Sequence, residues 1–185
     1  MVKLSRRQAL LVAAVAALPA HARTASGPVL LMRHAQTEPG VGDPPGFLLE
    51  RCATQRNLSP EGRAQAREFG ARLAALGLRP TSIRSSRWCR CLHTADEIRR
   101  GLGIAGLVAE QWPALDSFFD SREREPQQTA LLRQRVKALR GPTFELWVSH
   151  QVNITAFVGA ATQMGDALWL KPRADGSIAA SPFQT

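Results

Sequence analysis

The chain has 185 residues, 44% of them hydrophobic, and its 24 Lys and Arg residues outnumber 15 Asp and Glu residues for a formal net charge of +9. This length suits one well-buried core and is too short for two ordinary domains. A basic surface attracts anions such as phosphorylated metabolites. Because no nucleic-acid-binding motif is present, a nucleic-acid partner is not expected.

Residues 1–22 have the features of a secretory leader. Three basic residues precede the apolar stretch Ala9–Leu18, and a small-residue cleavage motif follows at Ala20–Ala22. The apolar stretch is shorter than the roughly 20 residues of a membrane-spanning helix. We therefore expect residues 1–22 to be cleaved, residues 23–185 to form a single domain, and the mature protein to be periplasmic or secreted without a membrane span. The leader resembles a twin-arginine leader, with Sec export as the alternative.

Strand and helix patterns alternate along the rest of the chain. Val29–Arg33 is a continuous apolar run, typical of a strand covered on both faces. Ser59-Pro60-Glu61 predicts the start of a helix that runs to about Gly77. The later patterns predict strands at 81–86, 107–109, 144–149, 167–170 and 177–180, and helices at 89–101, 127–140 and 154–161. The sequence therefore predicts an α/β three-layer sandwich, a mainly parallel central sheet with helices on both faces.

The sequence also predicts two loops and the positions of several individual side chains. Residues 38–58 are rich in proline and glycine and predict a long functional loop, and residues 116–126 predict a polar loop. The third helix is expected to turn four apolar side chains inward: Leu131, Leu132, Val136 and Leu139. Trp147 and Trp169 are assigned to the core, and His93 to a helix face.

Three cysteines are present, at positions 52, 89 and 91. Export would place them in an oxidising compartment, where a disulfide is stable. Cys89 and Cys91 are two residues apart at a helix start, so their side chains point in different directions and do not suit each other as partners. Cys52 is therefore expected to pair with Cys89 or Cys91 and to tether the 38–58 loop. The spacing of Cys and His residues does not resemble a zinc site.

Arginine and histidine side chains follow the predicted strands. Arg33 and His34 end the first strand, His150 ends the strand at 144–149, and Arg90 lies in the first turn of the helix at 89–101. In open α/β sheets, ligands bind outside the carboxyl ends of the strands. Arginine binds phosphoryl oxygens through a fixed fork of donors, and neutral imidazole is nucleophilic near pH 7. These residues predict phosphoryl-transfer chemistry.

With these segments in place, the chain resembles the histidine phosphatase superfamily, branch 1, of phosphoglycerate-mutase-like enzymes. Leu31–Glu38 is similar to the family's opening motif, with Ala35 where glycine is usual. Ser85–Ala95 resembles its second-arginine segment. Val148–His150 resembles the segment with the second histidine, although Gln151 stands where glycine is common. The resemblance covers nearly all of residues 28–181.

The resemblance implies a metal-independent phosphomonoester hydrolase that needs no cofactor and acts on small phosphorylated substrates. His34 would be the nucleophile that forms a phosphohistidine, with Arg33, Arg90 and His150 holding the phosphoryl group. Small exported relatives act on lipopolysaccharide-core sugar phosphates, which suggests a substrate in the cell envelope. Arg56 is assigned to substrate binding, although Arg51 and Arg56 are both suited to hold the loop instead.

The general acid is the point where the sequence departs from the family pattern. Asp116, directly after Leu115, is our candidate, and Glu38, Asp120 and Glu123 are alternatives. A good leaving group needs no acid. The alternative function that follows from this departure is a non-catalytic anion-binding or interaction module that retains the phosphate pocket.

Overall fold

The computed structural model describes residues 27–184, which form a six-stranded sheet between two helical layers. The strands run in the spatial order β3-β2-β4-β1-β5-β6. Their bounds are β1 Val29–Arg33, β2 Ser82–Ser85, β3 Ala109–Gln111, β4 Glu145–Ser149, β5 Ala167–Pro172 and β6 Ile178–Pro182. The first four strands in this order run parallel to one another. Strand β5 pairs antiparallel with β1, and β6 pairs antiparallel with β5. The predicted mainly parallel sheet is confirmed.

Four helices cover the two faces of this sheet. They are α1 Pro60–Ala75, α2 Cys89–Leu102, α3 Glu125–Ala138 and α4 Gln151–Val158. Alternate residues of β1 point to opposite faces. Leu30 and Met32 pack in one apolar cluster with α1 and α2, and Val29 and Leu31 pack in a second cluster with α3 and α4. The predicted three-layer sandwich is therefore confirmed.

The sequence determines where α1 begins. The first turn of this helix packs against the segment that follows β1. Ser59 caps the helix by accepting a hydrogen bond from the Gly62 amide at 3.1 Å, and Pro60 occupies the first turn. A Cβ at Gly62 would lie 1.8 Å from the Gln36 carbonyl oxygen. Only glycine, which has no Cβ, lets α1 lie this close to the segment that follows β1.

Several element boundaries differ from the prediction. The helix predicted at 154–161 begins at Gln151, and it ends at Val158 because Gly159 adopts a φ of 70°. The predicted strand at 107–109 is displaced to Ala109–Gln111, where Ala109 pairs with Ile83 of β2. Helix α3 starts at Glu125, two residues earlier than predicted, because Pro126 is favoured in a first turn.

The predicted core is largely confirmed. Trp147 and Trp169 are buried, whereas Leu131 is 41% exposed, so its assignment to the core was wrong. The periodicity of α3 is weak, because Gln128 and Thr129 also point inward. The predicted leader, residues 1–22, lies outside the described residues. Within residues 27–184, the helices are too short or too polar to cross a membrane.

Candidate active site

His34 and His150 lie side by side because the strands that precede them are neighbours. Arg33 is opposite Ser149 in the parallel pair of β1 and β4, so a histidine follows at the same edge of the sheet in each strand. The His34 amide donates to the Ser149 carbonyl at 2.9 Å. The two imidazole ring centroids are 5.5 Å apart, and both side chains are buried. The structure thus brings the two predicted histidines together.

The surroundings of His34 select a neutral ring with one free nitrogen. Nδ1 lies 2.9 Å from the carbonyl oxygen of Ala35. Because a carbonyl oxygen only accepts, Nδ1 carries the proton and Nε2 keeps its lone pair. Burial lowers the pKa of His34 to about 3, and three neighbouring arginines act in the same direction. The imidazole is therefore neutral at pH 7, the form in which it acts as a nucleophile.

Three arginines surround the two imidazoles. Arg33 ends β1, Arg90 lies in the first turn of α2, and Arg56 comes from the 38–58 loop. Arg33 Nη1 donates to Gln151 Oε1 at 3.0 Å and to the Thr162 carbonyl at 2.7 Å. In all three arginines, Nε is buried and has no hydrogen-bond partner within residues 27–184. A buried donor left unpaired costs about 1–3 kcal/mol. Because these three guanidinium groups and the two imidazoles line one cavity, they indicate an anion-binding site.

His150 is buried like His34 and contacts three side chains. Its Nε2 lies 2.8 Å from Ser86 Oγ and 3.4 Å from Cys91 Sγ. The indole ring of Trp88 packs edge to face against it, with centroids 5.5 Å apart. Burial, and then the charge of Arg90, lower the pKa of His150 well below its ordinary value. His150 is thus a second neutral imidazole beside the first.

These side chains form the floor of a cavity of about 830 Å³. We call Arg33, His34, Arg90 and His150 the base of the cavity. Its upper wall, which we call the rim, consists of Val41, Asp43, Phe47, Phe119, Arg122 and Arg124. The base is positive and polar, whereas the rim combines apolar side chains with charges of both signs. Such a cavity suits a phosphoryl group at its floor and a larger organic group above it.

Sequence reasoning missed Asp43, the acidic residue closest to the base. Its Oδ1 lies 2.7 Å from Arg90 Nη1, and its Oδ2 lies 3.0 Å from Trp88 Nε1. The Arg56 amide also donates to Oδ1 at 3.0 Å. Both side chains of the Asp43 and Arg90 ion pair are only 6% exposed. An aspartate in a loop without periodicity carries no pattern that predicts this contact.

Asp116, the predicted general acid, does not line this cavity. Its carboxylate is 1% exposed and faces Arg87. It accepts hydrogen bonds from the Arg87 amide at 2.8 Å and from Nε at 2.7 Å. Arg87 thus holds the Asp116 carboxylate, and the role of Asp116 as the general acid stays a prediction. Among the alternatives, Asp120 lines the cavity, whereas Glu38 and Glu123 are exposed and lie outside it.

A disulfide joins the 38–58 loop to α2. Cys52 is bonded to Cys89, and Cys91 is buried and free. The predicted pairing of Cys52 with one of the other two cysteines is confirmed, and Cys89 is the partner. Of the two loop arginines, Arg56 lines the cavity, whereas Arg51 is exposed and lies outside it. Within residues 27–184, no group of three or more His, Cys, Asp or Glu side chains is arranged to hold a metal ion.

The sequence model of the histidine phosphatase superfamily, branch 1, matches residues 29–119. The chain belongs to this superfamily. The match includes three of the four base residues, and the fourth, His150, lies beyond it in sequence but next to His34 in space. No curated protein matches this chain by sequence.

Solved structures of phosphatases have the same fold as this chain. The protein histidine phosphatase SixA, solved with tungstate, is 17% identical with a TM-score of 0.58, covering 83% of this chain and 93% of its own. A mycobacterial glucosyl-3-phosphoglycerate phosphatase, solved with VO3, is 15% identical with a TM-score of 0.60 and coverage of 84% and 97%. The alpha-ribazole phosphatase of Shigella flexneri is 15% identical with a TM-score of 0.57 and coverage of 85% and 96%. At these identities the likeness concerns the fold, and the family membership supports phosphatase activity.

Proposed function

We propose that the protein hydrolyses phosphomonoesters through a phosphohistidine formed on His34. The observation that carries this proposal is that three arginines and two neutral imidazoles line one cavity: Arg33, Arg56, Arg90, His34 and His150. A guanidinium fork matches the spacing of phosphoryl oxygens, and a phosphoryl dianion balances the positive charge of the base. The family match and the phosphatase folds support the same activity.

In the first half-reaction, His34 Nε2 attacks the phosphorus atom in line with the ester bond. A P–N bond forms, the P–O bond to the leaving group breaks, and the leaving oxygen takes up a proton. Charge in this transition state is spread over three equatorial oxygens, so catalysis depends on fixed positive donors. Arg33 and Arg90 supply them from the end of β1 and the first turn of α2, where the helix dipole adds positive potential.

In the second half-reaction, water attacks the phosphohistidine. The P–N bond breaks, orthophosphate leaves with the oxygen of the water, and Nε2 of His34 regains its lone pair. The hydrogen bond from Nδ1 of His34 to the Ala35 carbonyl holds the ring in one orientation through both steps. A fixed orientation reduces the cost of reaching the in-line geometry.

The proton for the leaving group is proposed to come from Asp120, which lines the cavity, or from water. Asp116 faces Arg87 outside the cavity, and both oxygens of Asp43 already accept hydrogen bonds. Esters of acidic alcohols need little help from a general acid. We therefore expect aryl phosphates to react faster than alkyl phosphates.

The substrate that we propose is a sugar phosphate of the cell envelope, of the kind found in the lipopolysaccharide core. Phe47, Trp88 and Phe119 offer apolar faces against which the C–H face of a sugar ring packs. Arg122 and Arg124 at the same rim are suited to a second anionic group on that substrate. A panel of sugar phosphates and short-chain alkyl phosphates tests this proposal, and equal kcat/KM for both classes would contradict it.

Export to the periplasm or secretion is proposed on two observations. Residues 1–22 have the pattern of a cleaved leader. The disulfide between Cys52 and Cys89 suits an oxidising compartment. The test is the N-terminus of the protein recovered from a periplasmic fraction. We expect it to begin after Ala22, whereas an intact N-terminus in the cytoplasmic fraction would contradict export.

Hydrolysis of a generic aryl phosphate by the purified protein tests the activity itself. We expect release of orthophosphate by the wild type and none by His34→Asn. The second candidate function is an anion-binding module without turnover, which is favoured by the placement of Asp116 outside the cavity. Binding of orthophosphate or vanadate without hydrolysis of any ester would support the binding module and contradict the phosphatase proposal.

A further inference from the structure

The carboxylate of Asp43 contacts two side chains beside the base, and the scheme above gives it no role. Its Oδ1 accepts from Arg90 Nη1 at 2.7 Å, and its Oδ2 accepts from Trp88 Nε1 at 3.0 Å. The indole of Trp88 in turn packs edge to face against the imidazole of His150, with ring centroids 5.5 Å apart. One carboxylate therefore contacts an arginine of the base and the ring that packs against the second histidine.

The loop that carries Asp43 is attached to the start of α2. The disulfide joins Cys52 to Cys89, the first residue of that helix. Gln55 Oε1 accepts a hydrogen bond from the Cys89 amide at 2.9 Å. Within the loop, the Arg56 amide donates to Asp43 Oδ1 at 3.0 Å. These covalent and hydrogen bonds fix the position of the Asp43 carboxylate against the first turn of α2.

The groups that contact the Asp43 carboxylate are all donors. A guanidinium, an indole N–H and a backbone amide donate to it, so both of its oxygens act as acceptors. The side chains of Asp43 and Arg90 are each 6% exposed, so water competes little for their contact. The contact uses one nitrogen of Arg90, Nη1, and the guanidinium keeps further donors for a phosphoryl oxygen. Asp43 thus supports Arg90 without using up its donors.

Asp43 also supplies a negative charge among the arginines of the cavity. Arg33, Arg56 and Arg90 line the cavity together. The pKa of Arg56 is lowered by burial and next by the charge of Arg90, whereas the charge of Asp43 acts in the opposite direction. Asp43 therefore offsets part of the repulsion between arginines that must stay close together to bind one phosphoryl group.

We propose that Asp43 is a positioning residue that holds the Arg90 guanidinium and the Trp88 indole in the arrangement that binds the transferring phosphoryl group. This inference rests on the proposed phosphatase function. Asp43 differs from the other rim residues, because it acts on the chemistry through a residue of the base. A displacement of about 1 Å in an active site costs on the order of 10²-fold in rate, and we expect Asp43→Asn to lower kcat/KM by about 10- to 100-fold.

A double-mutant cycle tests whether Asp43 acts through Arg90. Asp43→Asn and Arg90→Ala are measured alone and together on an aryl phosphate. The combined loss is expected to be smaller than the product of the two single losses, because the double variant has no guanidinium left to hold. Asp96→Asn is the matched control, since it breaks an aspartate–arginine pair on the same helix outside the cavity and is expected to keep the wild-type rate. Single losses that multiply would show independent action and overturn the inference.

Two other roles for Asp43 predict different results. If Asp43 were the general acid, Asp43→Asn would lose much more activity on an alkyl phosphate than on an aryl phosphate. If its carboxylate kept the phosphoryl group away from Arg90, Asp43→Asn would hydrolyse esters faster than the wild type. Either result, or an unchanged rate, would overturn the inference. Should Asp43→Asn fail to fold, Asp43→Ser removes the same charge with a smaller side chain and is expected to show the same loss.

The NMR signals of the Arg90 guanidinium test the inference without relying on turnover. Rotation about the Nε–Cζ bond is expected to be slow in the wild type, because Asp43 holds Nη1. It is expected to be faster in Asp43→Asn and unchanged in Asp96→Asn. Fast rotation in the wild type would overturn the inference. If no phosphate ester is hydrolysed, the phosphatase proposal fails while the rotation is still measured.

Discussion

The base and the rim of the cavity are held in different ways. The base residues stand at the ends of β1 and β4 and in the first turn of α2, where the sheet and the helix fix their backbone. The rim residues stand on loops and on one short 3-10 turn, Arg122–Arg124, and Val41 and Phe119 are 92% and 55% exposed. Rigid elements suit the alignment that phosphoryl transfer demands, and loops suit the recognition of a variable organic group. We therefore expect changes at the base to affect the chemistry and changes at the rim to affect selectivity.

The largest expected effect is the loss of turnover in His34→Asn. This substitution removes the nucleophile from the base, while the arginines and the rim remain. The measurement is steady-state hydrolysis of an aryl phosphate. His93→Asn is the control, because His93 lies on α2 outside the cavity and is expected to leave the rate unchanged. Residual hydrolysis near the wild-type rate in His34→Asn would show that the base does not carry the chemistry.

The next effect concerns the covalent link between the loop and α2. Replacing both Cys52 and Cys89 by serine opens a loop with a sequence separation of 37 residues. In the chain-entropy model this lowers the free energy of unfolding by about 4 kcal/mol. Urea denaturation with and without a reductant measures it. The reductant is expected to destabilise the wild type to the level of the double variant and to leave the double variant unchanged. An equal response of both proteins would contradict the prediction.

Arg33→Ala and Arg90→Ala are each expected to lower kcat/KM by about 10²- to 10³-fold, or about 3–4 kcal/mol, the loss typical of one preorganised donor. Both side chains belong to the base and stabilise charge on the phosphoryl oxygens. Arg51→Ala is the matched control, because Arg51 is exposed outside the cavity and is expected to retain the wild-type rate. If Arg90→Ala kept the wild-type rate, Arg90 would not be part of the phosphoryl-binding base.

The difference between the base, which stands on strands and a helix, and the loops around it also explains which parts of the molecule the sequence predicts. The sequence predicts Arg33, His34 and His150 as site residues because each lies where an apolar strand pattern ends. It predicts Arg90 because this residue lies in the first turn of a predicted helix. The sequence does not predict Asp43 as a site residue, because its contact with Arg90 depends on the path of a loop rich in proline and glycine. Asp116 follows Leu115 as a general acid would, yet the neighbouring Arg87 holds its carboxylate away from the cavity. Sequence patterns specify regular elements and do not specify such ion pairs.

The smallest expected effect is at the rim. Phe119→Ala removes an exposed apolar face above the base and is expected to raise KM for a sugar phosphate by about 2- to 10-fold, within the energy of one aromatic contact. The kcat for that substrate and inhibition by orthophosphate are expected to stay unchanged. Leu131→Ala is the control, because this exposed residue lies outside the cavity. A loss in kcat with unchanged KM in Phe119→Ala would contradict the division between base and rim.

The most direct test of the account is to trap the covalent intermediate. A phosphate ester labelled on phosphorus is mixed with the protein, the reaction is stopped by denaturation at alkaline pH, and the labelled peptide is identified. We predict an acid-labile phosphate on His34 that forms and decays at rates consistent with turnover, and no label in His34→Asn. Steady hydrolysis without any label on His34, or with the label on another residue, would contradict the account.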